Sequence, residues 1–256
     1  MPNHIAGKLV LTGDDNIIDE MLKDIKIDEA SFDIGSLDCN KIIPMPDSLN
    51  MEDGTFTDRS INAYLCAINP NAIKFPQHEK LTEYEFQSLC KYVFDYYIKF
   101  HRLCTVNAQC NAWLMELKDA ERDMLIENGK RYVDNIVKYG FPTWYEWKCM
   151  YWGSKWGCYN FKPYKDHTMR FQSANGDVSP VIKELSRKYP TIKFDYKWAD
   201  EDYGRNAGNV VLLDGKEIFK RCASDWSEYA YELVRDCWDL TMEEWRKLQK
   251  EIEEES

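Results

Sequence analysis

TWYEWKCMYWGSKWGCYNF, residues Thr143 to Phe161, holds four of the chain's nine tryptophans and two closely spaced glycines. Pro142 stands just before it, and Thr143 precedes Glu146 by the three residues of a capping box, so a helix is predicted to start here. Trp144, Trp147, Met150 and Tyr151 then fall on one face at helical spacing, a face to be buried. Gly153 is placed to end that helix, because glycine takes the left-handed conformation without a Cβ penalty. Beyond it, Trp156, Cys158 and Asn160 alternate with Gly157, Tyr159 and Phe161, the period of a strand. The segment therefore reads as a helix handing over to a strand through WGSKWG. Its plain reading is an aromatic core seam, since large aromatics dominate burial. Its sharper reading makes the turn from Gly153 to Gly157 a binding lip that presents Lys155 and an indole.

Downstream, Thr168 to Ser173 reads as a second strand. Ser179-Pro180 caps a helix with Val181, Ile182 and Leu185 on its inner face. Pro190 stops it, and Thr191 to Trp198 alternates as a strand. After an acidic turn from Ala199 to Asn206, Val210 to Leu213 and Glu217 to Phe219 pair across Asp214-Gly215, a type I′ hairpin signal. Two helices close the chain, Trp226 to Trp238 and one begun by the capping box Thr241-Glu244, ending in the acidic run EIEEES.

Upstream, Ile5 to Thr12 reads as a strand, and Asp14 or Asp15 caps a helix carrying Ile17, Ile18, Met21, Leu22 and Ile25. Pro44 and Pro46 predict that NKIIPMP, residues 40–46, runs extended as a strap. The texture changes between Asp47 and Gly140. A turn-rich passage over Met51 to Ser60, with Asn69-Pro70 and Phe75-Pro76, leads into helices. One starts at the capping box Thr82-Glu85 with a stripe of Phe86, Leu89, Cys90, Val93, Phe94, Tyr97 and Ile98. A second is predicted over Thr105 to Glu116 and a third over Lys130 to Tyr139, after a break at Asn128-Gly129.

With that block set aside, the order is strand, helix, strand, strand, helix, strand and a hairpin. This predicts an α+β fold with a ferredoxin-like, split βαβ sheet and helices on one sheet face. The expected division is a discontinuous ferredoxin-like domain over 1–46 and 141–222, a mostly helical insertion over 47–140, and C-terminal helices over 223–256.

A net charge of −11 argues against direct binding to nucleic acid or an anionic membrane and suits a basic partner. No run of about twenty apolar residues is present and the first residues lack a signal-peptide pattern, so the expected location is the cytoplasm. The nine cysteines include no CxxC and are expected to be reduced and structural, Cys66, Cys90, Cys158 and Cys237 at apolar positions among them.

MPNHI, NKIIPMP, WYEWKCMYWGSKWGCYNF, SPVIKELSRKYP and FDYKWADEDYG, in this order, resemble the YubB-like family of plasmid- and phage-borne proteins with a ferredoxin-like domain. The likeness covers residues 1–46 and 141–222. The chain departs from the family pattern at Phe171 to Asp177, FQSANGD, where a tryptophan-containing approach to the helix is expected. The resemblance implies a mobile-element accessory protein and carries no chemistry with it.

No phosphate loop, dinucleotide fingerprint or nucleophile elbow occurs. His4, His78, His101 and His167 lack metal spacing, so neither metal nor cofactor is expected. Asp200 to Asn206, DEDYGRN, fails as an EF-hand, with Gly204 at the fifth place and Val211 at the twelfth. With no catalytic set assembled, the expected function is non-enzymatic: binding and occluding a host protein, such as a nucleic-acid-binding defence effector of the CRISPR type. The alternative is a nucleotide scavenger whose pocket joins Trp152, Lys155 and Trp156 to Asp200, Asp202 and Arg205, with indoles on the base and cations on phosphates. A base-stacking platform of Tyr159, Phe171 and Tyr196 beside a basic strip of Lys162, Lys165 and Arg170 is a further possibility.

Overall fold

The computed structural model of the chain describes residues 3–28, 34–71, 78–100 and 112–255. It begins with β1 (His4–Thr12), α1 (Asp15–Ile25) and the single-turn α2 (Cys39–Ile42). Then come α3 (Thr55–Ile68), α4 (Glu83–Lys99), α5 (Ala112–Glu116), α6 (Asp119–Tyr139) and α7 (Trp144–Tyr151). β2 (Cys158–Tyr159), β3 (Thr168–Ala174), α8 (Ser179–Lys188), β4 (Lys193–Asp200), β5 (Gly208–Leu213) and β6 (Lys216–Cys222) follow, before α9 (Glu228–Trp238) and α10 (Met242–Glu255). Met1–Pro44 with Lys148–Ser256 forms one compact unit, and Met45–Trp147 forms another.

In the first unit the strands run in the order β2-β3-β1-β4-β5-β6, every neighbouring pair antiparallel. β1 and β2 flank β3, while β3 and β4 flank β1, with α8 making the second crossover. These two interlocked βαβ crossovers are the ferredoxin-like plan, extended beyond β4 by the β5–β6 hairpin. Asp14 starts α1 by accepting from the backbone N–H of Asn16 at 2.9 Å, and Ile18, Met21, Leu22 and Ile25 make its buried stripe. Asp214 and Gly215 have φ of +51° and +68°, the two positive angles that a type I′ hairpin needs.

Alternation along β1 assigns the two sheet faces. Ile5, Leu9 and Leu11 are buried, and Leu9 lies between Met169 and Tyr196 in register. Phe171 stacks on Tyr196 on this face at 6.0 Å and 12°. Burying each such side chain contributes about 2 kcal/mol. α8 lies here, its first turn anchored where the Val178 N–H donates to the Tyr196 hydroxyl at 3.3 Å, and α2 packs between it and α1.

The opposite face holds Ala6 and Ala199, a shallow bed on which α9 packs Ala230, Leu233, Val234 and Cys237. Helices therefore cover both faces rather than one, and residues 223–256 belong to the sheet unit. Ala6 and Ala199, opposite one another in register, permit this second layer, because they let α9 approach the strands closely.

The strap is shorter than expected. Asp38 accepts from the Asn40 N–H at 2.8 Å and nucleates α2, so Asn40 to Ile42 are helical and extended backbone begins at Ile43, next to Pro44. The strand expected over Trp156 to Phe161 pairs with β3 only at Cys158 and Tyr159. Met150 and Tyr151, expected on a buried face, are 45% and 42% exposed.

In the second unit, α3 and α6 lie along one another and α4 packs against α6. Ile61, Leu65, Val93, Tyr97, Tyr132 and Ile136 belong to its core. α4 begins at Thr82 with both bonds of the capping box. Its inward residues are Phe86, Val93, Tyr96 and Tyr97, whereas Phe94 and Ile98 of the expected stripe face outward. α3 replaces most of the predicted turn-rich passage, and α6 runs straight through Asn128-Gly129. Gly129 lies against the Ser60 backbone, so it is a contact between α6 and α3 instead of a break. Of the helix predicted over Thr105 to Glu116, residues 105–111 lie outside the described residues and α5 is the remainder; Phe75-Pro76 lies outside them as well. At the other end of this unit Glu146 is buried and accepts the Tyr96 hydroxyl at 3.1 Å, while Thr143 donates its hydroxyl to Asp53 at 3.0 Å.

Candidate functional site

The turn after α7 is tied down at several points. Trp152 is 5% exposed, its indole N–H donates to the Ile43 carbonyl at 2.9 Å, and the Lys148 ammonium lies 4.7 Å from its ring centre. Gly153 turns the backbone at φ +77°. Ser154 is buried; its hydroxyl donates to the Ala174 carbonyl at 3.1 Å and accepts from the Ala174 N–H at 3.0 Å. The Lys155 N–H also donates to the Ala174 carbonyl, at 3.1 Å. These bonds fasten the turn to the end of β3, so the side chains beyond it are presented from rigid backbone.

The side chain so presented is Trp156, 47% exposed, with the Lys155 ammonium 5.1 Å from its ring centre. Its ring is 6.4 Å from that of Tyr159, whose hydroxyl meets His4 Nδ1 at 2.7 Å. His4 alternates with buried Ile5, and Tyr159 is in register with Gln172, the neighbour of buried Phe171. Tyr159 and His4 therefore sit on the α9 side of the sheet, and the row Trp156, Tyr159, His4 forms a lip at its β2 edge. Burial raises the Tyr159 phenol pKa, with the charges of Glu201 and Cys158 adding to it, so the hydroxyl stays protonated at neutral pH.

Asp200, the last residue of β4, is 5% exposed. It accepts from the Asp202 N–H at 2.9 Å, the Asn3 amide at 3.3 Å and the Asn206 amide at 3.1 Å, and its carbonyl accepts the Trp238 indole N–H at 3.2 Å. It organises the loop from within. Asp202 is exposed, and Arg205 lies 4.7 Å from the Trp226 ring centre with Asp225 4.0 Å from its Nε. The six expected site residues thus take different roles. Trp156 stands in the lip with Lys155 against its ring, Trp152 and Asp200 serve internal packing, Asp202 is exposed, and Arg205 lies against Trp226.

The base-stacking platform does not assemble. Phe171 and Tyr196 are stacked inside the core, on the opposite face from Tyr159. The basic strip is neutralised by α9 and its end: Lys162 pairs with Asp239 at 3.1 Å, and Arg170 reaches the Asp236 carbonyl at 2.6 Å and Asp239 at 3.5 Å. Lys165 pairs with Asp166 at 3.8 Å.

Asp236 also receives Lys8 at 2.5 Å and Lys197 at 2.8 Å, which fixes α9 across β1 and β4. Burial works to raise its pKa, but the hydrogen bonds and charges of Lys197 and Lys8 outweigh that and hold it below the usual carboxylate range. A carboxylate whose folded pKa is depressed stabilises above its unfolded pKa and loses that contribution as pH falls through the folded one. Asp236→Asn is therefore expected to cost about 2 kcal/mol at pH 7, discounted for partial exposure. The difference from wild type should shrink below about pH 4, a trend that urea unfolding across pH checks.

His4 is the part of the lip that sequence reading missed, since it reads as one of four scattered histidines; Tyr159 is a candidate in the sequence, but grouped with Phe171 and Tyr196 on a stacking platform. Among the described residues, no group of three or more His, Cys, Asp or Glu is placed to hold a metal ion, and no helix is long and apolar enough to cross a membrane.

No curated protein matches the chain. A solved structure of a protein Api92 from Yersinia pseudotuberculosis is similar over 88% of this chain and 99% of that one, at 11% identity and a TM-score of 0.38. A family model described as the ferredoxin-like domain in Api92-like protein matches residues 151–241. That stretch, which carries β2 to β6 and α9, is similar to the Api92-like domain, and its fold is ferredoxin-like.

Proposed function

We propose that this chain is a non-enzymatic binding protein that engages another protein through the lip of Trp156, Tyr159 and His4. The carrying observation is a half-exposed indole on a turn that four hydrogen bonds and a cation–π contact hold in place. Exposed, pre-organised tryptophan and tyrosine are the residues that concentrate binding energy at protein interfaces. The net charge of −11 favours a basic partner, and Lys8, Arg170 and Lys197 of the central strands are taken up by Asp236 and Asp239. A basic surface that normally grips nucleic acid has the required complementarity. Together with the resemblance to YubB-like plasmid and phage proteins, this supports a mobile-element accessory protein that occludes a host protein such as a CRISPR-type defence effector.

Affinity capture from extracts of the encoding organism tests the reading. Wild type should retain one host protein stoichiometrically, and Trp156→Ala should weaken retention by about thirtyfold, the effect of removing a central anchor of about 2 kcal/mol. Tyr84→Ala, at a site 81% exposed in the other unit, should leave retention unchanged. A nucleotide released on denaturation, with no protein retained, would overturn the reading in favour of a small-molecule binder.

A further inference from the structure

Cys39 begins α2 and Cys158 begins β2, 119 residues apart in sequence, yet their Sγ atoms are in contact at 3.9 Å. Each is held by its own element. The Cys39 carbonyl accepts the Ile43 N–H at 2.9 Å, and Cys158 is in register with Ser173 of β3. Gly157 makes room for the approach, because a Cβ at that position would come 3.1 Å from Cys39 Sγ. A cation is also at hand. Lys148 lies over the Trp152 ring at 4.7 Å, and burial pulls its pKa down, with the charges of Cys39 and Asp38 acting in the opposite direction. Burial pushes the Cys158 thiol well above its ordinary range, and its hydrogen bond with Cys39 adds to the effect.

We infer that Cys39 and Cys158 are an oxidisable dithiol that closes to an intramolecular disulfide, covalently tying α2 to the β2 edge of the sheet beneath the lip. The thiolate of one of the two attacks one peroxide oxygen; the O–O bond breaks, a water leaves after protonation, and that cysteine becomes a sulfenic acid. The sulfur of the other then displaces the hydroxyl as a second water. Two thiols lose two electrons and two protons, and one peroxide is reduced to two waters. The two sulfurs, 3.9 Å apart, approach to a bond of about 2.05 Å.

The test is hydrogen peroxide treatment of the purified full chain, followed by non-reducing mass spectrometry of the intact protein and its peptides. The expected result is a loss of two hydrogens, one cross-linked peptide pair containing Cys39 and Cys158, and a Tm raised by several degrees that dithiothreitol reverses. Cys149→Ser, at an exposed position, should leave the yield of that pair unchanged. Because Cys39→Ser or Cys158→Ser could disturb packing, the peptide map of the unaltered chain decides. Separate sulfinic acids on Cys39 and Cys158, a disulfide involving Cys149 or Cys222, or a Cys39–Cys158 pair still reduced once the exposed thiols are oxidised would each overturn the inference.

Discussion

Gly153→Ala should destabilise the sheet unit by about 3 kcal/mol. Gly153 has φ +77°, where an L side chain loses about 1 kcal/mol or more. An alanine Cβ there would also stand 2.2 Å from the Asp177 carbonyl oxygen and 3.0 Å from Pro180 Cδ. The contact is reciprocal, since a Cβ at Gly176 would meet the Gly153 carbonyl oxygen at 2.2 Å. Two turns thus meet backbone to backbone, and the WGSKWG turn is set against the start of α8. Asp177 accepts from the Ser179 N–H at 2.8 Å, so displacing it loosens the helix start as well. Urea unfolding checks the magnitude, and the Tm should fall by about 6–12 °C. Gly176→Ala should act similarly, and the double variant should fall short of the sum, because both remove one contact. A Gly153→Ala protein within about 0.5 kcal/mol of wild type would show that the turns do not meet in this way.

Gly129→Ala is the counterpart in the helical unit. On propensity alone the change should stabilise α6 by about 1 kcal/mol. Packing reverses the sign, because the added Cβ would fall 2.0 Å from the Ser60 carbonyl oxygen and 2.6 Å from Tyr64 Cβ. The nearest obstacle is backbone, which no rotamer change can move aside, so α3 and α6 must separate along their shared length. The expected net loss is about 3 kcal/mol, measured by thermal unfolding and by earlier proteolysis within residues 55–139. Gly140→Ala is the control. It changes a glycine at φ +80° with nothing within 4 Å of the added atom, so only the backbone penalty of about 1 kcal/mol remains. Equal losses at 129 and 140 would remove the close approach from the account.

These two glycines also show what could be read from sequence. Gly153 could be placed, because a helix-spaced aromatic run must stop somewhere and the glycine follows it directly. The same local logic gave β1, α1, α8, β4 and the Asp214-Gly215 hairpin, each defined by its own periodicity and punctuation. Gly129 misled, since a glycine chosen for a neighbour 69 positions away looks the same as one chosen to break a helix. α3 was hidden for a related reason: TFTDRSINAYLCAI is rich in Thr, Ser and Asn, weak helix formers that tertiary packing overrides. The amphipathic stripe of α9 marked a helix with a buried side, yet a stripe does not name the layer it covers.

The site was partly legible on the same terms. WGSKWG announced a tight aromatic turn, but the hydrogen bond from Trp152 to Ile43 and the exposure of Trp156 depend on partners more than a hundred residues distant or on the sheet edge. Asp200 and Asp202 are neighbours in an acidic loop, and only the burial of the first separates an internal tie from a surface charge. The Asp236 cluster, fed by Lys8 and Lys197 from two different strands, had no local signature at all.

The central claim is that the lip around Trp156 meets a protein. A photoreactive phenylalanine analogue placed at position 156, in the living host, tests it most directly, with the same analogue at Tyr84 as reference. The account predicts a protease-sensitive, nuclease-resistant adduct with one host protein from position 156 and none from position 84. A nuclease-sensitive adduct, or equal protein adducts from both positions, would contradict it.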